Sequence, residues 1–87
     1  MDELIRLVVT SKAYTEALKS GITVSMSIIN GYEDMFPKSW LIVRFAKNCH
    51  LVEHVFDAEE YEKMISPEIA AGNVLKDMKE EVERDGR

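Results

Sequence analysis

Cysteine occurs once in these 87 residues, proline twice, tryptophan once and glycine four times. The lone Cys49 cannot close an internal disulfide, which excludes a stapled secreted scaffold and makes a reducing cytoplasm the expected compartment. Basic charge is also short. Eleven Lys and Arg stand against sixteen Asp and Glu, a formal net charge of −5. That balance argues against the broad attraction that non-specific DNA binding needs, and against docking on an anionic membrane. No apolar run nears the roughly 20 residues that span a bilayer. No secretory leader is expected either, since Met1-Asp2-Glu3 opens acidic and Arg6 interrupts Leu4 to Val9. The glycines, at 21, 31, 72 and 86, are too scattered to cradle a phosphate, and no repeat or linker is visible.

What is present describes one ordinary globular domain over 1–87, with 46% hydrophobic and 31% charged residues. Asp2 and Glu3 suit a helix N-terminus, and Gly21 suits a left-handed stop after Lys19. A helix is expected over 2–19; a strand at 4–10 followed by a helix at 11–19 is the alternative, because Ile5, Val8, Val9 and Thr10 are β-branched. Ile22 to Ile28 alternates apolar and small polar residues, the pattern of a half-buried strand, and Asn30-Gly31 has the chemistry to end it. Residues 32–38 then form a long loop whose Phe36 is expected to pack over the edge of the core.

The stretch Trp40 to Phe56 predicts a β-hairpin apolar on both faces, turning at Asn48-Cys49. Leu41, Val43 and Phe45 point one way and meet Phe56, His54 and Val52. Trp40, Ile42, Arg44 and Ala46 point the other way, with Ile42 beside Val55, Arg44 beside Glu53 and Ala46 beside Leu51. The facing opposite charges support this register, which a one-residue slip would lose. After it, Asp57 to Glu60 resembles a capping box that starts a short helix to about Met64. Ser66-Pro67 starts a second helix with Ala71, Val74, Leu75, Met78 and Val82 as its apolar stripe. The last five or so residues are expected to fray.

These elements predict an α+β fold in the order helix–strand–strand–strand–helix–helix, a three-stranded antiparallel sheet with helices mainly on one face. The expected core is Leu4, Val8, Leu18, Val24, Met26, Ile28, Leu41, Val43, Phe45, Val52, Phe56, Leu75, Met78 and Val82. No catalytic, metal or cofactor site is expected. His50 and His54 share a strand face but stand about 13 Å apart at ~3.3 Å per residue, too far to chelate one zinc. Cys49 lacks the oriented base that a nucleophile needs.

The functional expectation rests on the second hairpin face. One side of so short a sheet can be covered by helices, and the other is left as a contiguous apolar patch of the kind that marks interaction sites. Trp40, Ile42, Arg44, Leu51, Glu53 and Val55 are the expected protein interface, Trp40 its anchor. Glu33, Asp34, Asp57, Glu59 and Glu60 form a possible acidic contact surface. The reading is a small acidic, non-enzymatic protein-binding module, most specifically an inhibitor or modulator of a basic, nucleic-acid-handling partner. Small acidic proteins that inhibit nucleases in phage–host conflict have this size and charge, a likeness of class without a residue motif. The alternative is a self-associating, homodimeric accessory protein that uses the outer sheet face.

Overall fold

A computed structural model describes residues 1–84. The order of elements is α1 (Asp2–Val9), α2 (Lys12–Lys19), β1 (Thr23–Glu33), β2 (Phe36–Lys47), β3 (His50–Asp57), α3 (Ala58–Glu62) and α4 (Pro67–Arg84). The strands form one antiparallel sheet in sequence order β1-β2-β3. This is the expected α+β architecture, with two differences in how the elements divide.

The N-terminal segment is two helices, not one helix or a strand and a helix. Both Thr10 and Ser11 turn their hydroxyls back on the preceding turn, Thr10 onto the Arg6 carbonyl at 2.6 Å and Ser11 onto the Val8 carbonyl at 2.9 Å. Ser11 leaves helical geometry at ψ 148° and caps α2, its Oγ accepting the Tyr14 N–H at 3.1 Å. Such side-chain competition with the backbone is why Ser favours helix starts over helix middles. Gly21 closes α2 at φ 80°, the left-handed conformation that glycine adopts without strain.

The loop expected at 32–38 is instead the tip of a long hairpin. β1 runs through Asn30-Gly31 to Glu33, and the turn is Asp34-Met35, both with positive φ at 51° and 69°. These signs are those of a type I′ turn, whose twist matches the strands it joins. β1 and β2 then pair without interruption from Thr23–Ala46 to Glu33–Phe36. The second hairpin turns at Asn48-Cys49 with φ 50° and 67°, and its register is the expected one: Leu41–Phe56, Ile42–Val55, Val43–His54, Arg44–Glu53, Phe45–Val52 and Ala46–Leu51.

All helices serve one sheet face. Leu41, Val43, Phe45 and Phe56 are fully buried, packed with Leu4, Val8, Ala17, Leu75, Met78 and Val82. α4 lies over β2 and β3, α2 over β1, and α3 against β2, with α1 on α4. Asp57 starts α3 as its N-cap, Oδ1 accepting the N–H of Glu59 at 3.0 Å and of Glu60 at 3.3 Å. The helical layer is shorter than the sheet, which corrects the expected core. Leu18 and Ile28 are each 50% exposed, and Val24 and Met26 are only half-buried. Ile22, Ala58, Tyr61 and Ala71 are buried in addition to the expected set. Of the expected frayed end, Glu83 and Arg84 belong to α4, and residues 85–87 lie outside the described residues.

β3 reaches only as far as Trp40, so the β1–β2 hairpin continues alone for four further pairs, Asn30–Ser39 to Glu33–Phe36. At ~3.3 Å per residue this arm projects roughly 13 Å. It gives the molecule a 44 Å long axis. The radius of gyration, 13.4 Å, accordingly exceeds the ~12 Å typical of a compact chain this long.

Candidate protein interface

Strand alternation sorts the outer sheet face into cross-strand rows. From the turn at Asn48-Cys49 toward the arm they read Thr23–Ala46–Leu51, Ser25–Arg44–Glu53, Ser27–Ile42–Val55, Ile29–Trp40–Asp57, Gly31–Lys38 and Glu33–Phe36. Among the described residues no helix packs on this side. Ile29 at 46%, Val55 at 50% and Leu51 at 57% remain exposed. Ile42 lies at the centre and is shielded by its neighbours to 9%.

The expected patch is present but divided. Trp40, Ile42, Val55 and Ile29 are brought together, whereas Leu51 and Ala46 lie beyond the Arg44–Glu53 row. Arg44 Nε donates to Glu53 Oε2 at 2.8 Å and its NH1 to Ser27 Oγ at 3.1 Å, so one guanidinium ties all three strands together. The pair is partly exposed, and its contribution to stability is therefore below about 1 kcal/mol.

Trp40 lies outside the core, with its ring across Gly31. A Cβ at Gly31 would stand 3.2 Å from Trp40 Cζ3, so the glycine is the space in which the indole rests. This close approach accounts for a glycine in the interior of a strand.

Next to Trp40, Lys38 is drawn into the acidic residues. Its Nζ donates to Asp57 Oδ2 at 2.7 Å and lies 3.6 Å from Glu59 Oε2. The Asp57 hydrogen bond raises the Lys38 pKa, partly opposed by desolvation and helped by the charges of Asp57, Glu33 and Glu59. Reciprocally, Lys38 holds the Asp57 carboxyl below its ordinary value, with the capping N–H groups of Glu60 and Glu59 adding to the effect. Lys63, bonded at 2.8 Å, does the same for Glu59. Asp57 and Glu59 are thus engaged within the chain. Glu33, Asp34 and Glu60 are exposed, the first two at the tip of the arm and the third on α3.

The tip also offers what the sequence reading assigned elsewhere. Phe36 is 71% exposed instead of packing on the core, Tyr32 is 78% exposed and Met35 94%. Tyr32 and Phe36 occupy opposite faces of the arm. The one local signal for this arrangement was the β propensity of Tyr32 and Phe36 on either side of Glu33-Asp34-Met35.

Elsewhere the surface offers little chemistry. Among the described residues, no three of His, Cys, Asp and Glu gather as metal ligands would. His54 packs edge-on against Phe56 at 4.6 Å and is half-buried at the rim of the core. A cleft of about 210 Å³ opens between α1, α3 and the start of α4, lined by Leu4, Leu7, Tyr61 and Pro67. It falls below the ~300 Å³ at which small-molecule sites usually begin, and a second, more open cleft of about 300 Å³ between α2 and α4, at Lys12, Glu16 and Lys76, only reaches that size. No helix among the described residues is long and apolar enough to cross a membrane. Compared with models of known families, with curated proteins and with solved structures, the chain matches none.

Proposed function

We propose that this protein is a small acidic, non-enzymatic binding module that docks another protein on its outer sheet face. The observation that carries the reading is that, among the described residues, no helix lies over the Ile29–Trp40–Ile42–Val55 zone, while the opposite face holds the clustered core. An indole beside aliphatic side chains, bordered by charge, is the composition of interface centres and rims. The partner's chemistry follows from charge. With a net charge of −5, Glu33 on the outer face of the arm, and Asp34 and Glu60 exposed elsewhere on the surface, a basic protein surface is the complementary one. Proteins that handle nucleic acids carry such surfaces for phosphates, and carboxylates placed there would compete with the nucleic acid. Inhibition or modulation of a partner of that class is the specific form of the proposal.

Affinity capture from cell lysate tests it, with the wild type compared with two variants at half-exposed and fully exposed sites. Val55→Lys places a cation in the centre of the outer face, and Ile65→Lys changes a residue that is 101% exposed on the α3–α4 connection. The wild type and Ile65→Lys should retain one discrete basic partner, released as salt screens the attraction. Val55→Lys should lose it while keeping the wild-type melting temperature. Equal recovery by all three would overturn the reading.

A further inference from the structure

We propose that β1 is a dimerisation edge, along which two copies of this chain pair antiparallel, Ile28 against Ile28, into one six-stranded sheet. The proposal is independent of the outer-face reading, because both outer faces stay free in such a dimer.

The edges of the sheet differ in how they are guarded. Where β2 runs past the end of β3, Pro37 has no N–H to donate and Lys38 adds a charge, two devices that discourage strand addition. β3 carries Glu53 and Asp57. β1 has no such device. From Thr23 through Tyr32 it contains neither charge nor proline, and its ladder with β2 runs from residue 23 to residue 33 without a bulge. Among the described residues no strand pairs with its outer side. A chain with a net charge of −5 repels its own copy over most of its surface, and this uncharged edge is where that repulsion is weakest.

Symmetry then fixes the arrangement. A twofold axis that makes two strands antiparallel neighbours stands perpendicular to the sheet, so opposed residues point to the same face and both helical layers lie on one side. Centring the axis on Ile28 pairs all eleven residues of β1 and sets Glu33 opposite Thr23 instead of opposite a second Glu33. Open and covered regions also match. α2 covers β1 near its start, where the Ala17 carbonyl accepts the Ile22 N–H at 3.1 Å. Further along the same face Ile28 and Tyr32 stand 50% and 78% exposed. In the paired sheet Tyr32 of each copy falls opposite Val24 of the other, beside that copy's α2. The uncovered half of each arm thus meets the covered half of its twin.

Sedimentation equilibrium of the full chain should give a dimer. Ile28→Lys and Ile28→Glu each set like charges against one another at the axis, and each should give a monomer with the wild-type circular dichroism spectrum. Mixing the two should restore a 1:1 dimer. A wild-type monomer at the concentration of an NMR sample would overturn the proposal. So would a dimer that survives both substitutions, which would move self-association to another surface. Should the charged variants fail to fold, a short bismaleimide reads the same register in a Cys49→Ser background. It should crosslink Ile28→Cys into dimers and leave Leu51→Cys monomeric, and equal crosslinking at both positions would refute the edge.

Discussion

The contact between Gly31 and Trp40 makes a prediction whose sign depends on the background in which it is measured. Replacing glycine by alanine within a strand ordinarily stabilises by about 0.4–1 kcal/mol, because the unfolded chain loses freedom. Here the added methyl would sit 3.2 Å from Cζ3 and 3.8 Å from Cη2 of Trp40, so the ring must yield by a few tenths of an ångström. Crowding of that kind costs roughly 1 kcal/mol or more. Gly31→Ala should therefore be neutral or slightly destabilising in the wild type. Trp40→Ala removes the obstacle, and in that background Gly31→Ala should stabilise by about 0.5–1 kcal/mol. The coupling between the two sites is then about 1 kcal/mol, well above what independent positions show. Urea denaturation of the four proteins followed by far-ultraviolet circular dichroism measures it, since Trp40 is the only tryptophan and its fluorescence is lost with it. Equal effects of Gly31→Ala in both backgrounds would refute the idea that the indole occupies the place of a side chain.

Two further outcomes follow from the ion pairs. Arg44→Glu and Glu53→Arg should each lower stability by under about 1 kcal/mol, and the double reversal should recover most but not all of it, because the Arg44–Ser27 hydrogen bond is not rebuilt; losses that simply add in the double variant would exclude the pairing. The carboxyls of Asp57, Glu59 and Glu83 are all held below their ordinary values, by Lys38, Lys63 and Lys79 respectively. A depressed carboxyl contributes stability that is complete above its unfolded pKa and lost as pH falls through its folded one, so the urea midpoint should drop below about pH 4. Asp57→Asn should lower that midpoint more at pH 7 than in acid, and parallel pH curves for the two proteins would contradict the assignment to Lys38.

The β2–β3 hairpin was legible because three local signals agree there: alternation on both faces, turn chemistry at Asn48-Cys49 and the facing charges of Arg44 and Glu53. At Asn30-Gly31 the local signal misled. That dipeptide favours a turn, yet the register that pairs Val24 with Phe45, Met26 with Val43 and Ile28 with Leu41 requires the chain to reverse at Asp34-Met35. A cross-strand neighbour nine residues away, Trp40, then takes the space over Gly31. Ile28 shows the other limit. Its parity places it on the inner face, but whether that face is covered depends on how far α2 and α4 extend, which no window around Ile28 reports. The division of the interface, by contrast, was implicit in the hairpin register, which sets the Arg44–Glu53 row between Val55 and Leu51. At Thr10-Ser11 the break comes from Ser11 capping α2, a signal that any serine within a helical pattern offers and that spacing alone does not single out.

The order in which the chain closes has a consequence for its folding. The three strands contact only their neighbours in sequence, so the meander requires no long loop closure. Its covering layer is split between the two ends, α1 and α2 on one side of the sheet segment and α4 on the other, and both N-terminal helices rest on α4. Until α4 docks, Leu41, Val43 and Phe45 have only part of their cover. A folding chain at that stage shows water an apolar hairpin on both faces and along one unguarded edge. The interval between closure of the β2–β3 hairpin and docking of α4 is thus the stage of folding at which association between chains competes most strongly.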